Sequence, residues 1–434
     1  MYIKDIRIKN IRSIDKFDIE FRRPYKGWHV ILGDNGSGKS SVIRSIALAL
    51  VGPLQALALR SNWSDWLRKG STDSLIRLDL DYDKLYDKQT GKSAPLKNYY
   101  VTNVIKFIID KEPNSVSLES NYNLKDKNVI DPARFNWGNG DGWFSVAYGP
   151  FRRFTGGNSD RNKVYYSSPK AGAHLSVFGE DIALTEALEW IKELDYKRLK
   201  EKEYSSANNS NNEAERIFNS VKSFINKSGL LPFETTLEKV EEFPIFKDGN
   251  DNLISIIELS DGYRSILSLT FELIRQLIRT YGYNLVFKDF DTTNQIRVPG
   301  VVLIDEIDAH LHPSWQTRIG DWFTNYFPEL QFIVTTHSPL ICRACEKGSI
   351  WRLKSPKSTA ASGEIQGNER DKLIFGNILD AYGTEIFGKS TVRSKKSNEK
   401  LERLGKLNML VALGKATSEE KKRENRTPKD TYYR

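Results

Sequence analysis

Short apolar runs that end in polar turns divide the chain into predicted strands and helices. Residues 28–32 (WHVIL), 301–304 (VVLI) and 331–336 (QFIVTT) are mostly apolar and β-prone, which predicts buried strands, and four aliphatic residues in succession are typical of a parallel sheet covered on both faces. Residues 40–52 and 266–282 instead repeat apolar residues at helical spacing and end at a glycine. Buried strands followed by helices predict an α/β fold.

Further predicted elements lie between these runs. The apolar runs SLIRLDLDY, YYVTNVIKFIID and WFSVAYG fall within residues 55–175 and predict strands divided by polar loops. Residues 180–230 predict two helices separated by the polar linker SSANNSN. One interpretation of this helical insert is a helical pair that covers the core with its charges in solvent. Residues 233–258 predict strands joined by an Asp-Gly-Asn turn.

The turn between the first buried strand and the first helix carries the strongest chemical signal. Residues 33–40 read GDNGSGKS and match the phosphate-binding pattern G-x-x-x-x-G-K-[ST]. Backbone N–H groups and the helix dipole favour phosphate at such a helix start. We expect Lys39 to reach the β- and γ-phosphates of ATP and Ser40 to ligate Mg²⁺. The predicted nucleotide-binding residues are Asn35, Gly36, Ser37, Gly38, Lys39, Ser40 and Ser41.

Two later strands end in residues suited to nucleotide hydrolysis. Asp305 and Glu306 follow the run VVLI, at the carboxyl end of a strand where open α/β sheets bind ligands. Asp305 is predicted to hold Mg²⁺, and Glu306 to polarise the attacking water. His337 follows the next predicted strand and is a candidate catalytic residue.

A second predicted helix start resembles an anion site. Residues 258–265 read ELSDGYRS and precede the long helix, so Ser260 and Gly262 lie at or near its amino end. Ordinary capping of the helix by Ser260 or Asp261 is the alternative.

The four motifs in this order resemble the ABC-type ATPases, and within them the RecF/SMC-like heads. The resemblance implies a mixed sheet, a composite site between two subunits and antiparallel strands in the first lobe, the three apolar runs of residues 55–175 among them. It also implies that the helical insert contacts DNA or a neighbouring subunit, which is the alternative to a covering helical pair. Ser260, Asp261 and Gly262 would then contact the γ-phosphate in trans. The remaining roles that the resemblance implies are catalytic glutamate for Glu306, γ-phosphate sensor for His337, dimer-contacting D-loop for Asp308 and nucleotide approach for Arg12.

Two segments resemble a narrower group. DEIDAHLHP (305–313) is similar to the RecF-like branch, and VAYGPFRRF (146–154) is similar to ATPases of prokaryotic antiphage defence, either of the Septu type, retron-associated versions included, or of PARIS systems. This implies an ATP-dependent homo-oligomer that controls a nuclease or toxin; a RecF-like DNA repair clamp is the alternative. The family's Q-loop glutamine has no clear match. Arg152 or Arg153 lies near nucleotide or DNA in its place, or both are surface arginines.

The motif spacing suggests four segments. We predict a first ATPase lobe at 1–178, a helical insert at 179–232, a second lobe at 233–355 and a basic segment at 356–434. The chain between the P-loop and the signature is too short for a long SMC-type coiled coil.

Charge is concentrated at the carboxyl end. The 434-residue chain has a formal net charge of +9, and residues 391–434 contain 13 Lys and Arg against 6 Asp and Glu, a difference of +7. This segment is predicted either to bind DNA or RNA, or to be a solvated tail that docks a protein through Leu404, Leu407, Leu410 and Val411.

The sequence also argues against a membrane or secreted protein, a structural zinc site and a nuclease. It has no apolar run long enough to span a bilayer and no signal peptide, which indicates a cytoplasmic protein without membrane contact. Cys342 and Cys345 form a single CxxC, too few ligands for a structural zinc site, and are interpreted as inert thiols. No DxD follows His337, so we expect no nuclease activity from this chain alone.

Overall fold

The computed structural model describes residues 1–88, 100–109, 116–120, 129–130, 132–138, 141–152, 164, 167–179, 185–204, 213–232, 234–355, 361–382, 384 and 395–414. The chain divides into two compact units, Met1–Phe375 and Gly376–Arg434. All the predicted site residues lie in the first unit. The predicted boundaries of the two lobes and the insert within it stay a prediction.

The described strands are β1 (Tyr2–Ile11), β2 (Ile14–Glu20), β3 (Gly27–Leu32), β4 (Leu75–Asp81), β5 (Tyr100–Ile109), β6 (Val116–Glu119), β7 (Val129–Ile130), β8 (Ser145–Tyr148), β9 (Thr236–Val240), β10 (Pro244–Lys247), β11 (Leu253–Ser255), β12 (Gly300–Ile304), β13 (Leu330–Thr336), β14 (Ser349–Arg352) and β15 (Gly363–Glu364).

The described helices are α1 (Lys39–Val51), α2 (Ala56–Leu59), α3 (Pro169–Gly172), α4 (Thr185–Tyr204), α5 (Glu213–Lys227), α6 (Asp261–Tyr281), α7 (Tyr283–Val286), α8 (Phe290–Thr293), α9 (Pro313–Gln316), α10 (Ile319–Tyr326), α11 (Gly367–Ile374), α12 (Ile378–Tyr382) and α13 (Lys395–Ala412). Short 3-10 turns occupy Pro53–Gln55, Pro132–Arg134, Leu175–Val177 and Pro339–Lys347.

A mixed sheet forms the centre of the first unit. Its strand order is β15-β14-β3-β13-β12-β8. The strands from β14 to β8 are parallel, and β15 is antiparallel to β14. Every residue of β12 and β13 is buried, as expected of strands covered on both faces. The predicted α/β fold with a mixed sheet is therefore confirmed.

A second sheet, which is largely antiparallel, lies on the other side of helix α1. Its order is β2-β1-β4-β5-β6, with β7 paired to β5. Apolar residues of β1, β4 and β5 form one buried core with α1 and with Val301, Leu303 and Ile333 of the mixed sheet. Helix α1 is consequently buried along most of its length, and its position relative to both sheets is fixed by packing.

The opposite face of the mixed sheet is covered by helices. Trp28 of β3 lies 5.4 Å from Phe332 of β13 and 6.2 Å from Phe323 of α10, measured between ring centroids. Helix α6 is buried from Ser265 to Leu277, with gaps only at its outward face. It ends at Gly282, whose φ of 79° only glycine adopts freely.

One predicted strand belongs to a different sheet from the one expected. The run WFSVAYG was predicted to be antiparallel with its neighbours, but β8 pairs in parallel with β12. All four residues of β8 are buried, which is the pattern of a parallel strand covered on both faces. Four residues are too few for periodicity to distinguish the two arrangements.

The other predicted elements are present. The insert contains α4 and α5, and β10 pairs with β11 across the turn at Asp248. The longest described helix is α6, with 21 residues. Among the described residues, no single helix has both the length and the apolar content to cross a bilayer; α1 and the segment Pro53–Leu59 reach them only as a pair bent by 108°.

Candidate functional site

The register of the mixed sheet brings the predicted catalytic segments together. Leu32 pairs with Thr336, Ile304 pairs with Val334, and Ile304 also pairs with Tyr148. The segments that follow β3, β13, β12 and β8 therefore leave the sheet at one edge. They are the P-loop, the His337 turn, the acidic pair and the Gly149–Arg152 segment. This is the edge where parallel α/β sheets bind ligands.

The P-loop has the backbone that its glycines predict. Gly36 has φ 77° and Gly38 has φ 106°, values that favour glycine. A Cβ on Gly38 would lie 2.6 Å from Oγ of Ser13, so the turn between β1 and β2 lies directly against the loop. Asn35 and Gly36 are exposed at the loop tip, whereas Ser37 is buried. The backbone thus presents the start of α1 at an open face.

Lys39 and His337 are brought into contact although they are far apart in sequence. The Lys39 ammonium donates to the carbonyl oxygens of Gly33 at 2.8 Å and Asp34 at 3.1 Å, and lies 2.8 Å from Nε2 of His337. Burial lowers the pKa of Lys39, opposed by the nearby Glu306 carboxylate. Burial and then the Lys39 charge lower the pKa of His337. Neutral His337 therefore accepts a hydrogen bond from Lys39.

Asp305 has the features of a metal ligand. Its side chain is buried, and Oδ1 accepts a 2.5 Å hydrogen bond from the Thr335 hydroxyl. Oδ2 is also buried and has no hydrogen-bond partner among the described residues. A buried carboxylate oxygen needs a partner, and oxygen is the ligand that Mg²⁺ prefers. Asp305, together with Ser40 at the start of α1, therefore fits the predicted Mg²⁺ site.

Two hydroxyl groups of β13 hold the turn that follows β12 in place. The Glu306 N–H donates to Thr335 Oγ1 at 2.8 Å, and the Thr336 hydroxyl donates to Asp308 Oδ1 at 2.5 Å. Glu306 has φ 47°, which is in the left-handed region that costs a residue with a Cβ about 1–3 kcal/mol. Such strain persists only where surrounding contacts impose it, and here it fixes the direction of the predicted catalytic carboxylate.

Arg152 is not a surface arginine, so that alternative is wrong. Its side chain is buried, and it donates to the carbonyl oxygens of Gly149, Asp305, Glu306 and Ile307 at 3.0–3.3 Å. Burial lowers the pKa of Arg152 to about 10, so the guanidinium stays charged at neutral pH. The nearby acidic side chains act in the opposite direction. Arg153 lies outside the described residues.

The signature segment is exposed at the start of α6. Ser260 precedes the helix with φ −59° and ψ 153°, and its side chain makes no capping hydrogen bond. Ser260 and Asp261 are both exposed, and Asp261 forms an ion pair with Arg264. Ordinary capping by Ser260 is therefore wrong. A Cβ on Gly262 would lie 2.8 Å from the His310 carbonyl oxygen, so this helix start lies against the segment that follows Asp308.

Two further predictions have simple outcomes. Arg12 has φ 49° and pairs with Asp65 at 3.7 Å, with 38% of its side chain exposed. Its approach to the nucleotide stays a prediction.

Cys342 and Cys345 are both buried and unpaired, and burial raises the pKa of both thiols. High thiol pKa and burial make a cysteine unreactive.

Sequence reasoning missed Thr335 and Thr336 as functional residues. Both precede His337 directly, and both hydroxyls hydrogen-bond a carboxylate of the turn after β12. A signal was present, because two consecutive hydroxyl residues stand at the end of an otherwise apolar strand. The partner carboxylates are about 30 residues away and could not be identified without the pairing of β12 with β13.

At one edge of the mixed sheet the chain brings together a P-loop, an acidic pair and a histidine, and the start of the signature helix is exposed. With the second, largely antiparallel sheet, this is the arrangement expected of an ABC-type ATPase head of the RecF/SMC-like type. The family model described as "AAA domain, putative AbiEii toxin, Type IV TA system" matches residues 29–343. The chain belongs to this family.

Three relatives match over most of the chain. It is 26% identical to Septu protein PtuA of Bacillus mycoides (strain KBAB4), over 89% of this chain and 44% of that protein. It is 26% identical to the Retron Ec83 probable ATPase of Escherichia coli, over 84% of this chain and 74% of that protein. It is 24% identical to the Retron Vc95 probable ATPase of Vibrio cholerae serotype O1 biovar El Tor, over 77% of this chain and 71% of that protein.

The chain thus spans less than half the length of the Bacillus mycoides relative. The predicted resemblance to Septu and retron-associated ATPases is confirmed. Among solved structures, the SMC head bound to the C-winged helix domain of ScpA aligns with a TM-score of 0.48 at 19% identity, over 84% of this chain and 97% of that chain. The recombination mediator protein RecF with ATPrS aligns with a TM-score of 0.42 at 14% identity, over 84% of this chain and 98% of that chain.

Proposed function

We propose that this chain is an Mg²⁺-dependent ATPase whose copies close on one another over ATP, and that this cycle controls a nuclease or toxin in antiphage defence. The observation that carries the ATPase part is the convergence of four segments at one sheet edge. Lys39 contacts His337 at 2.8 Å, and Asp305 and Glu306 directly follow the neighbouring strand β12. Each residue has the chemistry that phosphoryl transfer to water requires.

The residues fit ATP and Mg²⁺ in distinct roles. The N–H groups at the start of α1 and the Lys39 ammonium would bind the phosphates, replacing the carbonyl oxygens that Lys39 now contacts. Ser40 and the unpartnered Oδ2 of Asp305 would hold Mg²⁺. Glu306 would orient the attacking water, and His337 would contact the γ-phosphate.

Closure over ATP by a second copy is supported by the exposed signature. Ser260 and Asp261 make no contact with the P-loop of their own chain in the described hydrogen bonds and ion pairs. The helix start at Ser260 would therefore bind the nucleotide of another subunit. ATP binding and self-association are then thermodynamically linked, so each strengthens the other. Hydrolysis removes the bridging γ-phosphate and releases the contact.

The proposed defence role rests on the relatives and on the chain's own residues. The similar proteins are a Septu protein and two retron ATPases. We expect no nuclease activity from this chain alone, so the effector would be a partner protein. A RecF-like DNA clamp is the second candidate, and the basic segment 391–434 favours it through its charge difference of +7. Residues 415–434 of that segment lie outside the described residues.

Trapping of the ATP-bound state tests the ATPase part. Glu306→Gln keeps the side-chain size but removes the carboxylate, so ATP is retained and light scattering should show a larger assembly with ATP and Mg²⁺. Glu306→Gln combined with Ser260→Arg should bind ATP yet remain unassociated, because the added side chain blocks the helix start. Glu346→Gln, a change of an exposed acid, is the matched control and should behave as the wild type.

A failure of Glu306→Gln to retain ATP would refute the assigned catalytic role. Retention of ATP without any change in mass would refute closure by a second copy. A pull-down of tagged Glu306→Gln from its host with ATP and Mg²⁺ then tests the partner. Recovery of a stoichiometric nuclease or toxin supports the defence role, whereas DNA without a protein partner supports the clamp.

A further inference from the structure

Arg152 forms hydrogen bonds to two parts of the chain, the turn that follows β12 and helix α6. The segment from Gly149 to Arg152 leaves β8 beside the end of β12, and the Arg152 guanidinium uses all three of its nitrogens. Nη1 donates to the carbonyl oxygens of Gly149 at 3.1 Å and Asp305 at 3.0 Å. Nη2 donates to Glu306 at 3.1 Å and Ile307 at 3.3 Å. Nε donates to the hydroxyl of Ser265 on α6 at 3.0 Å.

Three of these bonds hold consecutive carbonyl groups of the turn that carries the acidic pair. The middle residue of that turn, Glu306, is the one with left-handed φ. Arg152 is only 6% exposed, so water does not replace these bonds in the folded protein. A planar fork reaches several acceptors at once, whereas a lysine ammonium is a single point of charge and cannot span them. Of the two basic side chains, only arginine can therefore donate to all of these carbonyl groups at once.

The fifth bond links this turn to the signature helix. Ser265 is 2% exposed and lies in the second turn of α6, which begins after Ser260. In the proposed function, Glu306 acts on the nucleotide bound by its own chain, whereas Ser260 acts on the nucleotide of the neighbouring subunit. The bond from Arg152 to Ser265 therefore connects the Glu306 turn with the helix start that would complete the other site.

We propose that Arg152 is a positioning residue that couples the acidic pair of one ATP site to the signature helix of the next. It does not touch ATP in this proposal; it fixes the carbonyl groups of the catalytic turn and ties them to Ser265. The catalytic part of this inference rests on the proposed function, but the mechanical coupling between the turn and the helix does not.

Kinetics test the catalytic part. Arg152→Lys keeps the charge but loses the fork, and we expect kcat for ATP to fall by about a hundredfold, the effect of misplacing a catalytic group by about 1 Å. KM for ATP should stay within about threefold, because Arg152 does not contact the nucleotide. Ser265→Ala should lower kcat by about tenfold. The double variant should be no worse than Arg152→Lys alone, since both changes break the same link.

Hydrogen–deuterium exchange tests the coupling without ATP turnover. Ser265→Ala changes only α6, yet amide exchange should become faster in residues 305–309 as well as in 260–264. Ser268→Ala is the matched control, since its buried hydroxyl donates to the carbonyl oxygen of Ser265 at 2.9 Å without contacting Arg152. It should leave exchange in 305–309 unchanged.

The outcomes separate the two proposals. Faster exchange confined to α6 in Ser265→Ala, or additive losses in the double variant, would overturn the coupling. So would a rise in the KM of Arg152→Lys with kcat retained. A wild-type protein without ATPase activity would refute the proposed function, and the exchange measurement would still decide whether Arg152 couples the turn to the helix.

Discussion

Thr335→Val removes one hydroxyl from the centre of the site. Thr335 is fully buried at the end of β13, and its Oγ1 donates to Asp305 at 2.5 Å while it accepts from the Glu306 N–H at 2.8 Å. Valine has nearly the same shape, so packing in β13 is retained. The variant therefore isolates the two hydrogen bonds that hold the acidic pair.

The size of the effect follows from the two broken bonds. A hydrogen bond to a charged group contributes about 1.5–3 kcal/mol, and an unsatisfied buried N–H costs about 1–3 kcal/mol. The free energy of unfolding should therefore fall by about 2.5–6 kcal/mol, the sum of the two contributions. The other carboxylate oxygen of Asp305 has no hydrogen-bond partner among the described residues, so the carboxylate loses its orientation. A higher Mg²⁺ concentration should then be needed for half-maximal ATP hydrolysis.

Urea unfolding at neutral pH measures the stability, and an Mg²⁺ titration of ATP hydrolysis measures the orientation of Asp305. Thr335→Ser is the control, because it keeps the hydroxyl and removes only a methyl group; it should lose about 1 kcal/mol. The reasoning is refuted if Thr335→Val unfolds within about 0.5 kcal/mol of the wild type, the range of neutral substitutions. It is also refuted if Thr335→Ser is as unstable as Thr335→Val.

Two further predictions concern the signature helix and the response to pH. Gly262→Ala should lower the free energy of unfolding by about 1–3 kcal/mol and weaken ATP-dependent self-association, because its Cβ would lie 2.8 Å from the His310 carbonyl oxygen. Burial lowers the pKa of His29 and His174 to about 4, below the unfolded value of about 6.5. The unfolded chain therefore binds protons first, and stability present above pH 6.5 is lost as the pH falls through 4, by up to about 3 kcal/mol for each histidine.

The control for the glycine prediction is a glycine whose surroundings leave room for a Cβ. Gly363→Ala meets nothing within 4 Å of its Cβ and should leave both stability and self-association unchanged. Urea unfolding at several pH values measures the histidine effect. His174→Gln should make the free energy of unfolding less dependent on pH. A free energy of unfolding that is constant between pH 7 and 4 would contradict the assignment.

Local sequence was sufficient for the nucleotide-binding elements. The glycines of the P-loop, the apolar strand before it and the helical spacing after it all lie within residues 28–52. Strand, turn and helix preferences act over a few residues, so the prediction of a helix at residues 40–52 needed no tertiary information. The observed helix α1 begins one residue earlier, at Lys39. The same holds for the helical spacing of residues 266–282, which corresponds to α6, observed from Asp261 to Tyr281.

Long-range pairing decided what local patterns could not. The run SVAY is equally compatible with either sheet, and only its pairing with β12 placed it in the parallel one. For Arg152 the sequence left open a surface position or a place near nucleotide or DNA, because its partners in the turn after β12 and on α6 are more than 100 residues away. No local property of residues 149–153 reports those acceptors.

The sequence by itself therefore determined the class of site, because its motifs are short and each is bounded by its own strand or helix. The tertiary structure alone decided how the site is held. The bonds from Thr335 to Asp305, from Lys39 to His337 and from Arg152 to Ser265 join residues from different elements. Such bonds form only when the packed sheet brings buried polar groups within reach of one another, since each must find a partner once water is excluded.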